Sequence, residues 1–302
     1  MSRRTSPSVA GKVVVITGAA RGVGAELARA LTARGARVAL LGLEPAELAA
    51  LSAALPGSAA YDIDVTDADA LDVVAARVVA DLGRVDVVVA NAGIAAAGPL
   101  LLADVRSYER VLEVNLLGSI RTVRAFLPHV VASRGYVLQV ASLAAMAPAP
   151  VMSAYCASKS GVEAFAHCLR GEVRHHGVEV GVAYLAFTDT DMVRGTDAVK
   201  PFAEMRRQMP GPFGRTYPLA PAVERLADGV ARRSAHVYAQ RWLRAVQPVR
   251  GLLPALVARA AKDLPALEAE LRQAGPSATT PVGAGGSADN AAAIASARPT
   301  TR

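Results

Sequence analysis

The sequence predicts an α/β protein built on one doubly wound sheet of seven parallel strands, with helices on both faces. Seven short runs rich in Val, Leu and Ala recur between longer amphipathic stretches, the pattern of βαβ units. Hydrophobic residues make up 52% of the chain but aromatics only 4%, so the core must be aliphatic, as suits a sheet covered on both faces. The length of 302 residues fits one α/β domain of about 250 residues plus a tail.

In chain order the strand-like runs are VVVIT (13–17), RVALLG (37–42), AAYDID (59–64), VDVVVA (85–90), YVLQVA (136–141), VEVGVAYL (178–185) and HVYAQ (236–240). Helices are expected at 22–34, 45–54, 67–82, 106–132, 152–175 and 220–233, and right-handed crossovers distribute them over both faces. Residues 192–217 hold Gly195, Pro201, Pro210, Gly211, Pro212 and Gly214 around a short helical piece, which predicts a mobile segment rather than sheet. Residues 1–10 are expected to be a flexible N-terminus and 11–240 the main domain. Residues 241–274 are expected to form a helical extension broken at Pro248, Pro254 and Pro265. Residues 275–302, small, polar and rich in Gly and Pro, are expected to be disordered.

Composition narrows the setting. Cys156 and Cys168 lie on one predicted helix, about 18 Å apart at the helical rise, too far for a disulfide. That points to a reducing, cytoplasmic compartment. The basic N-terminus lacks the apolar stretch of a signal peptide. The uncharged run from Gly135 to Ser158 contains Pro148, Pro150 and several serines, and fits a strand, a loop and a helix start better than a membrane span. Residues 1–230 carry 23 Lys and Arg against 22 Asp and Glu, so nearly all of the net charge of +7 sits beyond them. No aromatic residues interleave with a basic stripe, which speaks for a solvated surface and against a nucleic-acid partner.

The chemistry starts at Thr17-Gly18-Ala19-Ala20-Arg21-Gly22-Val23-Gly24, directly after the first strand and opening a helix. Glycines there let the backbone approach a pyrophosphate, while free N–H groups and the helix dipole attract its charge. A second constellation is Tyr155-Cys156-Ala157-Ser158-Lys159, with Ser142 thirteen residues before the tyrosine and Asn115 in the preceding helix. Positions i and i+4 share a helix face, so Tyr155 and Lys159 point to one cleft. Ser142 ends the fifth strand, at the carboxyl edge where open α/β sheets bind ligands.

A carbonyl that accepts hydride becomes an alkoxide and needs a proton. A phenol with a pKa of about 10 is roughly 4 kcal/mol from ionising at neutral pH. An ammonium some 4 to 5 Å away supplies roughly 3 to 4 kcal/mol at an effective dielectric of about 20. The histidines (His129, His167, His175, His176, His236) show no metal spacing, and Cys156 beside Tyr155 is expected to pack rather than react.

The TGxxxGxG spacing, Asn91-Ala92-Gly93 after the fourth strand, Asp64-Val65 after the third, and the Asn115, Ser142, Tyr155, Lys159 set together resemble the short-chain dehydrogenase/reductase family over about residues 11–240. The resemblance implies a single Rossmann fold, an NAD(P)(H) cofactor and oxidoreduction between a carbonyl and an alcohol. It makes Tyr155 the acid/base and Ser142 the group that bonds the substrate oxygen. Lys159 holds the ribose and lowers the tyrosine pKa, and Asn115 anchors a relay water. Gly18, Ala20, Arg21, Gly22, Val23 and Gly24 would line the pyrophosphate side, Asp64 and Val65 the adenine, and Asn91, Ala92 and Gly93 the cleft. A homodimer or homotetramer is expected.

The chain also departs from the family pattern. After the sixth strand it has Leu185-Ala186-Phe187-Thr188-Asp189-Thr190, without the usual Pro-Gly, though Thr190 keeps its place; Thr188 and Thr190 are the nicotinamide-side candidates. The second strand ends in Gly42 rather than an acidic residue, leaving no carboxylate to repel a 2′-phosphate. With Arg21 this favours NADP(H), while Glu44 two residues on leaves NAD(H) open. Leu243, Val246, Val249, Leu252, Leu253, Leu256 and Val257 recur at helical spacing between Arg241, Arg244 and Arg250. Such a segment could pack on the core, close the cleft, form a dimer contact or touch a membrane surface. By analogy with relatives so extended, a lipophilic ketone or secondary alcohol is expected. A catalytically silent nucleotide-binding protein and an epimerase or dehydratase of the extended group are the alternatives. The substrate loops at 94–100, 143–152 and 187–217 carry no recognisable signature.

Overall fold

A computed structural model describes residues 8–260, 264–274 and 279–296. Strands β1 (Val13–Thr17), β2 (Arg37–Gly42), β3 (Ala59–Asp62), β4 (Val87–Ala90), β5 (Tyr136–Val140), β6 (Glu179–Tyr184) and β7 (His236–Tyr238) form one parallel sheet in the order β3-β2-β1-β4-β5-β6-β7. All seven expected strands are present, five of them shorter by one or two residues at one or both ends than their sequence runs. The chain leaves β3 at one edge and returns beside β1, so the strand order reverses between β1 and β4. The crevice at the carboxyl ends of these two strands is where such sheets bind ligands.

Helices α1 (Gly22–Ala33), α2 (Pro45–Ala54) and α3 (Ala68–Leu82) follow the first three strands. Two apolar layers cover the sheet. One joins α3, the central helices and alternate strand residues such as Val13, Val15 and Val88; the other joins α1, α2 and residues such as Val14, Ile16 and Val89. Alternation along β1 splits its side chains between the two layers, so both faces of the strand VVVIT are buried. The single helix expected at 106–132 is instead α4 (Val105–Leu112) and α5 (Gly118–Ser133), joined by a π-helical turn over Glu113–Leu117. Such bulges concentrate at functional sites, and this one carries Asn115. Helix α6 (Ser153–Val173) leads into β6.

Residues 192–217 contain α7 (Asp191–Asp197) and α8 (Lys200–Arg207), and a bridge pairs Thr188 with Tyr217. Helix α9 (Leu219–Ala231) packs on α1. Beyond β7 come α10 (Leu243–Val246), α11 (Leu253–Ala260) and α12 (Leu264–Ala274). Leu243 and Val246 join the core, whereas Val249, Leu252 and Leu256 are exposed. No helix among the described residues is long and apolar enough to cross a membrane.

Both ends differ from the sequence expectation. Val9, assigned to a flexible N-terminus, is buried; residues 1–7 lie outside the described residues. Residues 275–302 were expected to be disordered, yet Gly283–Ser296 forms helix α13; residues 275–278 and 297–302 lie outside the described residues. Composition does not show that Asp289 pairs with Arg110 or that Gly283 seats against Gly195 of α7, contacts that hold the start of α13.

Arg250 fastens the extension to α6. Its Nη1 and Nη2 each donate to one oxygen of Glu163 at 2.7 Å, and Nη2 also donates to the Ala145 carbonyl at 3.0 Å. Glu163 is buried and accepts a further bond from the Tyr184 hydroxyl at 2.6 Å. Burial would raise its carboxyl, but the guanidinium and the Tyr184 hydroxyl hold it below the usual range. Arg250→Ala should therefore cost about 3 kcal/mol, the lower end for a buried carboxylate that loses its partner, read as a drop in the denaturant midpoint. Adding Glu163→Gln should recover part of the loss. A cost under about 0.5 kcal/mol would mark the pair as an ordinary surface contact.

Candidate active site

Two loops meet at the switch point. The Thr17 hydroxyl, buried at the end of β1, accepts from the backbone N–H of both Asn91 and Ala92 at 3.0 Å. In return the Asn91 amide donates to the Thr17 carbonyl at 2.9 Å and the Gly18 carbonyl at 3.3 Å. Gly18 has φ +62°, and a Cβ there would come within 2.9 Å of the Ala92 Cα, so this turn requires glycine. A Cβ at Gly24 would overlap the Gly18 carbonyl oxygen; this glycine lets α1 start close against the strand.

The crevice between these loops is one continuous cleft. Among the residues singled out from sequence, Gly18, Arg21, Gly22, Val23, Gly42, Asp64, Val65, Asn91, Ala92, Gly93, Ser142, Tyr155, Lys159, Thr188 and Thr190 all line it. Ala20, Gly24 and Asn115 do not. The cleft runs from the glycine turn to Tyr155, with Gly18, Gly22, Gly42 and Gly93 along its wall leaving backbone open to it, so these residues fit an extended dinucleotide.

Asn115, 1% exposed, stands behind the wall. Its Oδ1 accepts from the Ile94 N–H at 2.8 Å, and its Nδ2 donates to the Ile94 carbonyl at 3.0 Å and the Ser158 hydroxyl at 3.1 Å. The side chain thus clips the loop after β4 to α6 and holds Gly93 close to Lys159. Ser142 caps the turn after β5, accepting from the Ala144 N–H at 3.2 Å and donating to the Leu185 carbonyl at 3.3 Å.

Tyr155 and Lys159 share a face of α6, with the Lys159 Nζ 5.7 Å from the centre of the tyrosine ring and donating to the Val140 carbonyl at 2.9 Å. Burial pushes the Tyr155 phenol up to about 12, against a smaller downward pull from Ser142. Burial also lowers the Lys159 ammonium to about 8. This differs from the expectation that Lys159 depresses the tyrosine. Lys159 is buried and Tyr155 half-buried beside it, so both lose hydration, which disfavours phenolate and ammonium alike, and the ammonium donates to a carbonyl.

At the far end, Arg21 donates from Nε to Glu44 at 2.9 Å and lies 3.5 Å from Glu47 and 3.7 Å from Asp191. A Cβ on Gly42 would stand 3.7 Å from the Glu44 carboxylate. Burial would raise the Asp64 carboxyl, but bonds from the Thr66 N–H and the Arg110 guanidinium hold it low.

Sequence reasoning missed three polar residues. Gln240 accepts from the Ala186 N–H at 2.9 Å and donates to the Thr188 hydroxyl at 3.3 Å. A proline at 186 would have no N–H to give, so Gln240 organises the loop that in this chain lacks Pro-Gly; the departure itself was the only signal. Arg110 and Asp289 pair beside Asp64, across a separation in sequence that no local pattern could reveal.

Comparison with known proteins agrees with this architecture. The family model for short chain dehydrogenase matches residues 12–200. "Probable oxidoreductase EphD" of Mycobacterium bovis is 39% identical over 190 residues, covering 61% of this chain but only 32% of its own. The chain thus spans about a third of that relative's length. The fatty acyl-CoA reductase of Acinetobacter baylyi is 32% identical over 200 residues, covering 64% of this chain and 68% of its own. Among solved structures, a metagenomic short-chain oxidoreductase in complex with NADP is 35% identical with a TM-score of 0.55, covering 58% of this chain and 82% of its own. With well over half of its length matched by the family model, the chain belongs to the short chain dehydrogenase family.

Proposed function

We propose that this protein is an NAD(P)(H)-dependent oxidoreductase that interconverts a carbonyl and an alcohol, with Tyr155 as its acid/base. The observation that carries the reading is the convergence of Ser142, Tyr155 and Lys159 on the wall of the cleft that the glycine turn opens. Bound nicotinamide would supply or accept the hydride. Ser142 donates a hydrogen bond to the substrate oxygen and Tyr155 delivers or takes its proton. Lys159 holds the ribose hydroxyls, and Asn115, its amide already taken by Ile94 and Ser158 behind the wall, positions the loop after β4 instead of anchoring the expected relay water by its side chain. Thr188 and Thr190 face the nicotinamide end.

A lipophilic substrate is supported by the apolar cluster of Ala97, Val151, Phe202, Leu267 and Leu271, which brings α12 down on α8 over the substrate loops. The name of the Acinetobacter relative, a fatty acyl-CoA reductase, points the same way. Cytoplasmic placement is supported by two unpaired cysteines, and self-association as a homodimer or homotetramer by the exposed Leu252 and Leu256.

For the nucleotide, Gly42 and Arg21 support NADP(H), as does the NADP complex of the metagenomic relative. NAD(H) is the second reading, favoured by Glu44, whose carboxylate occupies the end of β2 and already engages Arg21. On the first reading Arg21 leaves Glu44 for the 2′-phosphate. Glu44→Gln should then raise the NADPH:NADH ratio of kcat/KM, and Arg21→Ala should lower it, each by roughly 1 to 2 kcal/mol. A preference of roughly tenfold or more for NADH in the unaltered protein selects the second reading.

Tyr155→Phe should lower kcat by roughly 10²- to 10⁴-fold while leaving nucleotide affinity nearly intact, because only a transition-state interaction is lost. Retention of about a tenth of kcat would overturn the assignment. The raised phenol also sets a pH dependence. As the acid it stays protonated through neutral pH, so carbonyl reduction should be flat there. Alcohol oxidation needs the phenolate and should accelerate as pH rises; initial rates in both directions check this.

A further inference from the structure

We infer that residues 279–289 form a wall of the dinucleotide site, and that Arg110 is the residue that positions them; this rests on the reading of the cleft as a dinucleotide site. The segment crosses the mouth of the cleft from the substrate side to the Asp64 end and is fastened at four points. The Thr279 side chain packs against Gly98, where a Cβ would come within 2.7 Å of it. The Val282 N–H donates to the Ala95 carbonyl at 2.9 Å. Gly283, at φ +79°, seats against α7, where a Cβ on Gly195 would lie 2.5 Å from the Gly283 nitrogen. Finally, Asp289 receives bonds from Arg110 Nε and Nη2 at 2.7 to 3.1 Å.

Arg110 is the hub of this closure. The same guanidinium donates to Asp64 at 2.7 Å and to the Thr66 hydroxyl at 3.0 Å, so one side chain ties the floor of the cleft at Asp64 to its cover at Asp289. The Asp289 side chain is 3% exposed. A carboxylate so far from water is stable only with its bidentate partner in place, which makes the fastening all-or-none rather than graded. Gly285 and Asp289 line the same cleft as Gly18 and Lys159, so the segment bounds the space without filling it. A dinucleotide lying between the glycine turn and Tyr155 is covered by this segment, and both entry and release require Asp289 to leave Arg110.

Stopped-flow nucleotide fluorescence with full-length protein tests this. Asp289→Ala removes the ionic fastening and Val282→Pro removes the N–H bond to Ala95; neither touches the glycine turn or the catalytic side chains. Both should speed nucleotide release, and Asp289→Ala by on the order of tenfold with entry accelerated as well. The melting temperature of the nucleotide-free protein should stay nearly unchanged, which a purely structural role would not allow, and Asp289→Glu should restore slow release. Unchanged release in both variants, or tighter binding, overturns the inference while leaving the dinucleotide site standing. Failure of the unaltered protein to bind either NADPH or NADH overturns both.

Discussion

The site depends on the tie between Thr17 and Asn91. The carboxyl ends of β1 and β4 diverge at the switch point, and a crevice there would be shapeless without a fixed distance between the two loops. One buried hydroxyl takes both backbone N–H groups of the Asn91-Ala92 step, and the Asn91 amide returns bonds to the Thr17 and Gly18 carbonyls. The Thr17 hydroxyl, the carbonyls of Thr17 and Gly18, and the N–H groups of Asn91 and Ala92 are thereby paired inside the protein. Asn115 repeats the device one layer deeper, clipping Ile94 to Ser158 and so the loop after β4 to α6.

The electrostatics follow from enclosure. A half-buried tyrosine and a buried lysine on adjacent turns of α6 both drift toward their neutral forms. A ligand that brings charge or hydrogen-bonding hydroxyls to Lys159 alters this balance more than it would in open water, because local interactions are strong where the dielectric is low.

The C-terminal region supplies what the central fold lacks. It contributes Leu243 and Val246 to the core, Arg250 to the buried Glu163, α12 to the apolar cover of the substrate loops, and α13 to the edge of the nucleotide cleft. Charge does much of this joining. Each arginine reaches a carboxylate buried by other elements, so its position is enforced by the cost of leaving that carboxylate unpaired.

The sheet, its strand boundaries within a few residues, and the residues Gly18, Ser142, Tyr155 and Lys159 were legible in the sequence because each rests on local physics: a short apolar run in a strand, glycine in a tight turn, i to i+4 on a helix. The uninterrupted run VVVIT marked β1 as buried on both faces, and glycine spacing marked the α1 entry. The π-helical turn at Asn115 was not legible, since its residues have ordinary helical character and the bulge answers to packing against Ile94 and Ser158. Nor was the order of Gly283–Ser296, whose small, polar composition predicts a disordered chain. Only tertiary structure decided that Gly195 would leave room for Gly283, and that Arg110 would stand where Asp64 and Asp289 could share it. Periodicity is carried by neighbouring residues and survives in the sequence. A pairing across 179 positions is carried by the fold alone, because nothing in either segment's own sequence names its partner.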